Sequence, residues 1–358
     1  MFTSRFLANV ASVMTVLIIT LSSVQPVFAA APTNDNFAIP ETIVSLPFSQ
    51  TVDVTEATAE DGEPTACWGM DHTVWYSFTP SQNMAVHANV IGSQMDANVN
   101  VYHAIGTGIN SLEFLGCAYF GSSPSFLFQA GQTYYLQAGT IFGEVGNIQV
   151  HLYEFTPQPV QPNFYFYPSD PNPFDVMQFC DNSYDPDGFG FSSYTWNFGD
   201  GATSTLNCPQ HQYAKDGDYT VQHSATTRDG RIGSTSQVVH VRTHDVAITK
   251  ISAPQSANAG QTRSVTVYVS NKSYAETVVI TFYRSVLGGF EQVGSYSQFV
   301  PARSTNRTVA FTFNYTFSSS DASIGKVTFK ALASLANARD AFPADNEAVS
   351  SPPTKVAK

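Results

Sequence analysis

Two stretches of this chain could hold a cation. Asp185-Pro186-Asp187-Gly188 sets two carboxylates on one short loop, and hard cations such as calcium gather several oxygens from flexible loops of this kind. An Asx-type turn, with Asp and Gly present for backbone geometry, accounts for the same residues. The second stretch carries Glu56, Glu60, Asp61, Glu63 and Asp71, with no Lys or Arg anywhere between Pro32 and Pro159. Carboxylates this dense repel one another unless a cation sits among them or solvent screens them. The alternative is a solvated acidic loop held at one end by Cys67.

Aromatic side chains supply a different chemistry, since a flat ring binds apolar CH faces while its edge meets polar groups. Trp68, beside Cys67 on a polar loop, is the candidate ligand-binding aromatic. Trp75 and the Tyr134-Tyr135 pair lie in alternating segments, where core packing is the default. Covalent chemistry finds little support. Gly-x-Ser-x-Gly, His-Glu-x-x-His, paired cysteine ligands and phosphate loops are all missing from the sequence. His240 and His244 have the spacing of metal ligands on a helix, but the segment alternates as a strand, where four residues span about 13 Å. Both read as surface histidines.

The elements that must position these residues are strands. Only 12% of residues are charged, 13% are aromatic, and no long apolar pattern of period 3.6 follows the first thirty residues. Val86, Ala88 and Val90, then Ile148, Val150 and Leu152, alternate with polar neighbours as half-buried strands do. Tyr194, Trp196 and Phe198 share one face of another strand, and Gly199-Asp200-Gly201 then reverses the chain at once. Val265, Val267 and Val269, and later Val309, Phe311, Phe313 and Tyr315, continue the pattern. With 358 residues the chain has room for two or three domains at roughly 100 to 150 residues each. The fold class is all-β, three β-sandwiches in series.

The stretch Tyr194-Thr195-Trp196-Asn197-Phe198-Gly199-Asp200-Gly201 resembles the signature of the PKD domain, an immunoglobulin-like sandwich, with Asn197 where the family usually has Asp. Ser183-Tyr184-Asp185-Pro186-Asp187-Gly188 before it, and His211-Gln212-Tyr213-Ala214-Lys215-Asp216-Gly217 and Asp218-Tyr219-Thr220-Val221 after it, fall in the family's order. Trp196, Phe198, Gly199, Asp200 and Gly201 carry the fold signature. Some members bind calcium through loop aspartates at matching places, so the resemblance adds Asp229 to Asp185 and Asp187 as ligands. Residues 32–156 resemble the bacterial pre-peptidase C-terminal family, a jelly-roll-like sandwich, through Asn34-Asp35-Asn36-Phe37, Val74-Trp75-Tyr76-Ser77-Phe78-Thr79, Asp96 to Tyr102 and Ala130 to Gly139. Residues 245–350 resemble the CARDB cell-adhesion-related family through the opening strand at Asp245-Val246-Ala247-Ile248, Ala259-Gly260-Gln261 and Asp345-Asn346-Glu347.

The expected organisation is a signal peptide over 1–31, sandwiches over 32–156, 163–243 and 245–350, a Pro-rich linker at 157–162 and a tail at 351–358. The signal rests on Arg5, the apolar run from Phe6 and the small residues at Ala29-Ala30-Ala31. Four cysteines allow three connectivities, and only Cys67–Cys117 with Cys180–Cys208 crosses no domain boundary. Net charge is −12, concentrated in the twelve acidic residues before Pro159, which repels nucleic acid. The reading is a secreted, non-enzymatic binding or adhesion protein of a microbial surface or matrix. Its partners are polysaccharide or protein polymer, with no nucleic acid and no membrane after signal cleavage. The alternative is an accessory that targets a secreted hydrolase. No cofactor is required, and calcium is the one candidate.

Overall fold

The computed structural model describes residues 30–302 and 307–358, so the expected signal peptide falls outside the described residues except for Ala30 and Ala31. No described helix is long and apolar enough to cross a membrane. The described residues fall into two compact units, one reaching Thr156 and one starting at Pro157. Nearly all of the regular structure in both is strand.

In the first unit the period-two pattern builds two facing sheets. One orders its strands Glu41–Ile43, His72–Phe78, Tyr134–Thr140, Ala97–Ala104 and Leu112–Tyr119, and the other Phe48–Asp53, Asn147–Phe155, Met84–Asn89 and Ser125–Phe128. Val74, Tyr76, Val99, Val101 and Leu136 from the first sheet meet Val86, Ala88, Val150 and Leu152 from the second in one buried core. Each such side chain contributes roughly 1.5–3 kcal/mol on burial. Because side chains alternate across a strand, Trp75 and Tyr102 lie on the opposite face. They are buried nonetheless, because the loop from Glu56 to Asp71 folds over them. Cys67–Cys117 staples that loop to the last strand of the same sheet.

The second unit holds two further apolar cores. The first lies between a sheet of Phe164–Tyr167, Met177–Asp181 and Gln210–His211 and one of Thr203–Ser204, Phe191–Asn197, Gly217–Thr227 and Ile232–Val241. Trp196 and Phe198 fill it with Phe164, Phe179 and Tyr213, and the Trp196 indole N–H donates to the Leu206 carbonyl at 2.8 Å. Asn197, in place of the family's Asp, accepts the Gly199 N–H through Oδ1 at 3.0 Å. The turn therefore keeps its hydrogen bond without a charge. Cys180–Cys208 closes the edge of this sandwich.

The remaining core packs Val265, Val267, Val269 and Phe311 against Val278, Ile280, Phe282 and Phe329. Its sheets are Val246–Ser252, Thr262–Asn271 and Val309–Thr316 on one side and Gly289–Val300, Glu276–Val286, Phe329–Leu335 and Glu347–Val349 on the other. One short α-helix, Ser319–Ile324, interrupts the strands, with Ser318 and Asp321 forming a capping box. Asp321 is buried and also accepts from Arg284 at 2.8 Å and from the Tyr315 hydroxyl at 2.7 Å.

Two expectations change. The last residues are not a loose tail, because Thr354–Ala357 pairs with Ser256–Asn258 and Lys326–Val327. Thr354 and Val356 turn inward and are buried, a two-residue alternation that Pro352-Pro353 conceals. Nor is 157–162 a free linker. Gln161 pairs with Tyr184, Val160 is buried, and Arg231 holds the Gln158 carbonyl.

The two sandwiches of the second unit meet through polar contacts and one aromatic pair. Asp216 accepts the N–H and hydroxyl of Thr243 and the hydroxyl of Tyr274, at 3.0, 2.7 and 2.7 Å. His244 stands between Glu276 and Asp170, and Phe174 meets Phe342 edge-on with ring centroids 5.3 Å apart. His244 is thus half-enclosed rather than a surface histidine, whereas His240 is exposed beside Asp218.

The Gly199 and Gly201 turn supplies a test of how tightly the signature is fixed. Both have positive φ, 83° and 98°, but a Cβ on Gly199 would stand 2.7 Å from the Thr220 carbonyl oxygen while one on Gly201 meets nothing. Gly201→Ala should cost about 1 kcal/mol from backbone conformation alone. Gly199→Ala should cost at least ~2 kcal/mol in urea unfolding, from conformation and collision together. Equal losses would show that the close approach to Thr220 is relaxed at no cost.

Candidate functional site

Asp185, Asp187 and Asp229 converge, and the cation they surround is Arg231. Its guanidinium reaches Asp185 Oδ1 at 2.8 Å, Asp187 Oδ2 at 2.9 Å and Asp229 Oδ2 at 2.5 Å, and its face lies against Phe189 with 5.5 Å to the ring centroid. Local geometry uses the carboxylates as well. Asp185 accepts the N–H groups of Asp187 and Gly190, as an Asx turn requires, and Asp187 accepts the Gln158 N–H at 2.6 Å. Burial alone would raise the Asp229 carboxyl, but hydrogen bonds from Arg231 and Thr227 and the guanidinium charge hold it below the usual carboxylate range.

Arg231 is not among the residues that the PKD resemblance picks out, although it stands two positions after Asp229. The signal was there, a base two positions after a candidate ligand, but its other partners lie more than forty residues upstream. A planar fork of five donors fits three carboxylates where lysine offers a point charge. Among the described residues, no three His, Cys, Asp or Glu side chains stand as a set of metal ligands.

The five acids of the Glu56–Asp71 loop do not share a site. Glu60 accepts from the Asn36 side chain and the Phe37 N–H, Asp71 accepts the Gly143 N–H at 2.6 Å, and Glu56 and Asp61 are exposed. Glu63 is the one turned inward. It accepts from the Thr73 hydroxyl at 2.9 and 3.0 Å, from the Trp75 indole at 3.0 Å and from the Gln137 amide at 2.9 Å. Three donors from two strands thus take the place of a cation, and the loop is pinned over Trp75. Burial, with the Glu63 charge nearby, pushes the Tyr102 hydroxyl up to about 12.

The candidate aromatic Trp68 is 48% exposed, and beside it stands Phe142, 70% exposed, with ring centroids 6.3 Å apart. Phe120, 59% exposed, lies at the same end of the sheet. It borders a cleft of about 230 Å³ lined with Val90, Ile91, Met95 and Asp96. Cys67, Phe120 and Phe142 are the described non-glycine residues with positive φ, at 58°, 45° and 61°. Such backbone costs roughly 1–3 kcal/mol per residue and persists only where surrounding structure imposes it. Asp71 on the Gly143 N–H, at 2.6 Å, holds the turn at Phe142, and the bond to Cys117 holds Cys67. By contrast Trp75 and Tyr134 are buried, and Tyr135 is half-buried against Phe37.

None of the eight imidazoles, all within the described residues, is hydrogen-bonded to a serine or cysteine side chain. The most enclosed, His223, is fully buried, 2.7 Å from Asp181 and stacked 4.0 Å from Trp196. It belongs to the core.

The Arg231 cluster predicts two outcomes. Arg231→Met leaves three partly buried carboxylates without their cation and should cost about 3 kcal/mol, with calcium then restoring part of the melting temperature in the variant while leaving the parent unmoved. A parent that itself gains stability with calcium would show that the ion competes with the arginine. Asp229, Asp200, Asp216 and Asp321 all lie below the ordinary carboxylate range in the folded chain. Their contribution is complete above the unfolded value of roughly 4 and is lost as pH falls through the folded values. Melting temperature should therefore hold down to about pH 4 and drop below it, as a calorimetric pH series would report.

The family model for the PKD domain matches residues 166–242. A microbial collagenase of Vibrio alginolyticus is 42% identical over 59 residues, which are 16% of this chain and 7% of the collagenase. The chain thus matches only a small fraction of that enzyme's length. The PKD1 domain of Vibrio anguillarum Epp is 28% identical, covering 24% of this chain and 98% of that domain with a TM-score of 0.22. The PKD1 domain of the Vibrio cholerae metalloprotease PrtV is 29% identical, covering 24% and 100% with a TM-score of 0.22. With the Trp196 strand, its Gly199-Asp200-Gly201 turn and the family match in agreement, residues 166–242 are a PKD domain.

Proposed function

We propose that this chain is a non-catalytic extracellular binding and spacer protein whose ligand contact is the aromatic end of the first sandwich, at Trp68 and Phe142. The carrying observation is that two large rings stand in solvent, Phe142 on positive-φ backbone and Trp68 next to Cys67, whose φ is positive as well, a cost that binding can offset. The ligand is a polymer with apolar faces, a polysaccharide or a protein fibre. Anionic polymers are disfavoured by twelve acidic residues with no base between Pro32 and Pro159.

The sandwich around Trp68 is assigned to the pre-peptidase C-terminal type and the last one to the CARDB adhesion type, on the residues that carry those resemblances. The chain is exported and acts outside the cell or on its surface, which suits two disulfides. Calcium has no required role in this reading, because Arg231 supplies the positive charge. A second reading, an accessory that brings a secreted hydrolase to its substrate, draws on the stretch shared with a collagenase.

Retention on insoluble chitin, cellulose and collagen fibres tests the proposal. Trp68→Ala should weaken the bound fraction about tenfold or more, the loss typical of an exposed aromatic anchor, and Phe142→Ala less. Neither should change the melting temperature by more than a degree or two. Unchanged retention in the double variant would place the contact elsewhere. Release of soluble product by the parent chain would overturn the non-catalytic reading.

A further inference from the structure

The strand Gly289–Val300 is the longest among the described residues, at twelve, and it ends its sheet, pairing only with Glu276–Val286. An edge of this length offers a row of unpaired backbone groups to any extended chain, and proteins usually blunt such edges with Lys, Pro or inward charges. This one carries a single charge, Glu291, which Arg284 holds at 2.7 Å. Phe290, Val293, Tyr296 and Phe299 are between 39% and 62% exposed. The other long edge nearby is treated differently. Ile232–Val241 is crossed by Val160 and Pro162 at Gly233, and Gln237 donates to the Phe164 carbonyl at 2.7 Å.

What the edge fits can be read from its own sequence. Phe290-Glu291-Gln292-Val293-Gly294 followed by Ser295-Tyr296-Ser297-Gln298-Phe299 keeps the same order of side-chain classes outward in both directions from its centre: small, apolar, polar, Glu or Gln, then Phe. With Val293 and Gly294 sharing one position, an antiparallel copy related by a two-fold axis at Ser295 sets Phe290 against Phe299, Gln292 against Ser297, and Glu291 against Gln298. No carboxylate meets its own image.

Residues an odd number apart lie on opposite faces of a regular strand, so this match would fail without a correction. The structure supplies one. The register slips between Phe282 and Tyr283, leaving Val293 as an extra residue. Phe290, paired with Ser285, and Phe299, paired with Thr277, therefore share the outward face. Glu291, paired with Arg284, and Gln298, paired with Val278, share the other.

We propose that this edge is an isologous interface, on which a second copy of the chain pairs antiparallel through Gly289–Val300 to join two four-stranded sheets into one. The partner is the chain itself because the pattern complements its own inverse. An acidic or basic peptide would find only the neutralised Glu291. The contact is a strand edge with four exposed apolar side chains per copy, so the dimer is reversible and concentration-dependent.

Sedimentation velocity on the intact chain over a wide concentration range reads the outcome. The parent should move from monomer to dimer mass as concentration rises. Ser295 is exposed on the two-fold axis and faces its own image, so Ser295→Lys and Ser295→Glu each oppose like charges and should remain monomeric with unchanged melting temperature. Mixed in equal amounts, the two should recover the dimer mass. A parent that stays monomeric throughout, variants that dimerise like the parent, or a mixture that stays monomeric would each overturn the proposal.

Discussion

Burying a carboxylate costs several kcal/mol unless a cation or a full set of donors meets it, and each of the three cores has loops arranged around one such debt. In the first sandwich it falls on Glu63, answered by Thr73, Trp75 and Gln137. In the PKD domain it falls on Asp185, answered by Arg231 and two backbone N–H groups. In the last it falls on Asp321, answered by Arg284, Tyr315 and the cap of a short helix. Each carboxylate also ties together segments far apart in sequence. The loops are thus fixed by polar closure, while the strands between them are fixed by apolar alternation.

This closure bears on function, because charges spent on holding loops are not free for chemistry. Arg231 occupies the centre where a hard cation would need its oxygens, and the Asp–His pairs are either fully buried, as at His223, or lack a hydroxyl partner. Besides these pairs, the described surface offers exposed aromatic area at Trp68 and Phe142 and an open strand edge at Gly289–Val300. The two proposed contacts rest on those features. They differ in kind: the first depends on exposed side-chain faces, the second on main-chain groups that alternate side chains merely permit.

How much of this was legible follows from how local each signal is. The Trp196 strand and its glycine turn are contained in eight consecutive residues, and the sequence alone predicts one shared face for Trp196 and Phe198, which the core confirms, and a reversal at Gly199-Asp200-Gly201, where both glycines have positive φ. The disulfides were legible because domain boundaries removed the alternatives. Arg231 was not, since its meaning depends on aspartates more than forty residues away. Alternation also could not tell that both faces of the Trp75 strand are covered. It identifies two faces, and only the position of the Glu56–Asp71 loop decides whether the second meets water. Thr354–Ala357 was hidden for another reason, being too short for a period and next to two prolines.

The two proposed contacts reinforce one another through valence. A pair of exposed rings is a small contact, and a polymer segment held by Trp68 and Phe142 alone would dissociate readily. Repeating polymers, however, present the same face many times along their length. A chain that doubles through its Gly289–Val300 edge presents two aromatic ends, and a second engagement made from within the same complex can raise apparent affinity by about 10²–10⁴ without any new residue. Weak contacts at the ligand and at the sheet edge then suffice together where neither would alone. Both remain reversible, which permits movement along a surface while the assembly as a whole stays attached.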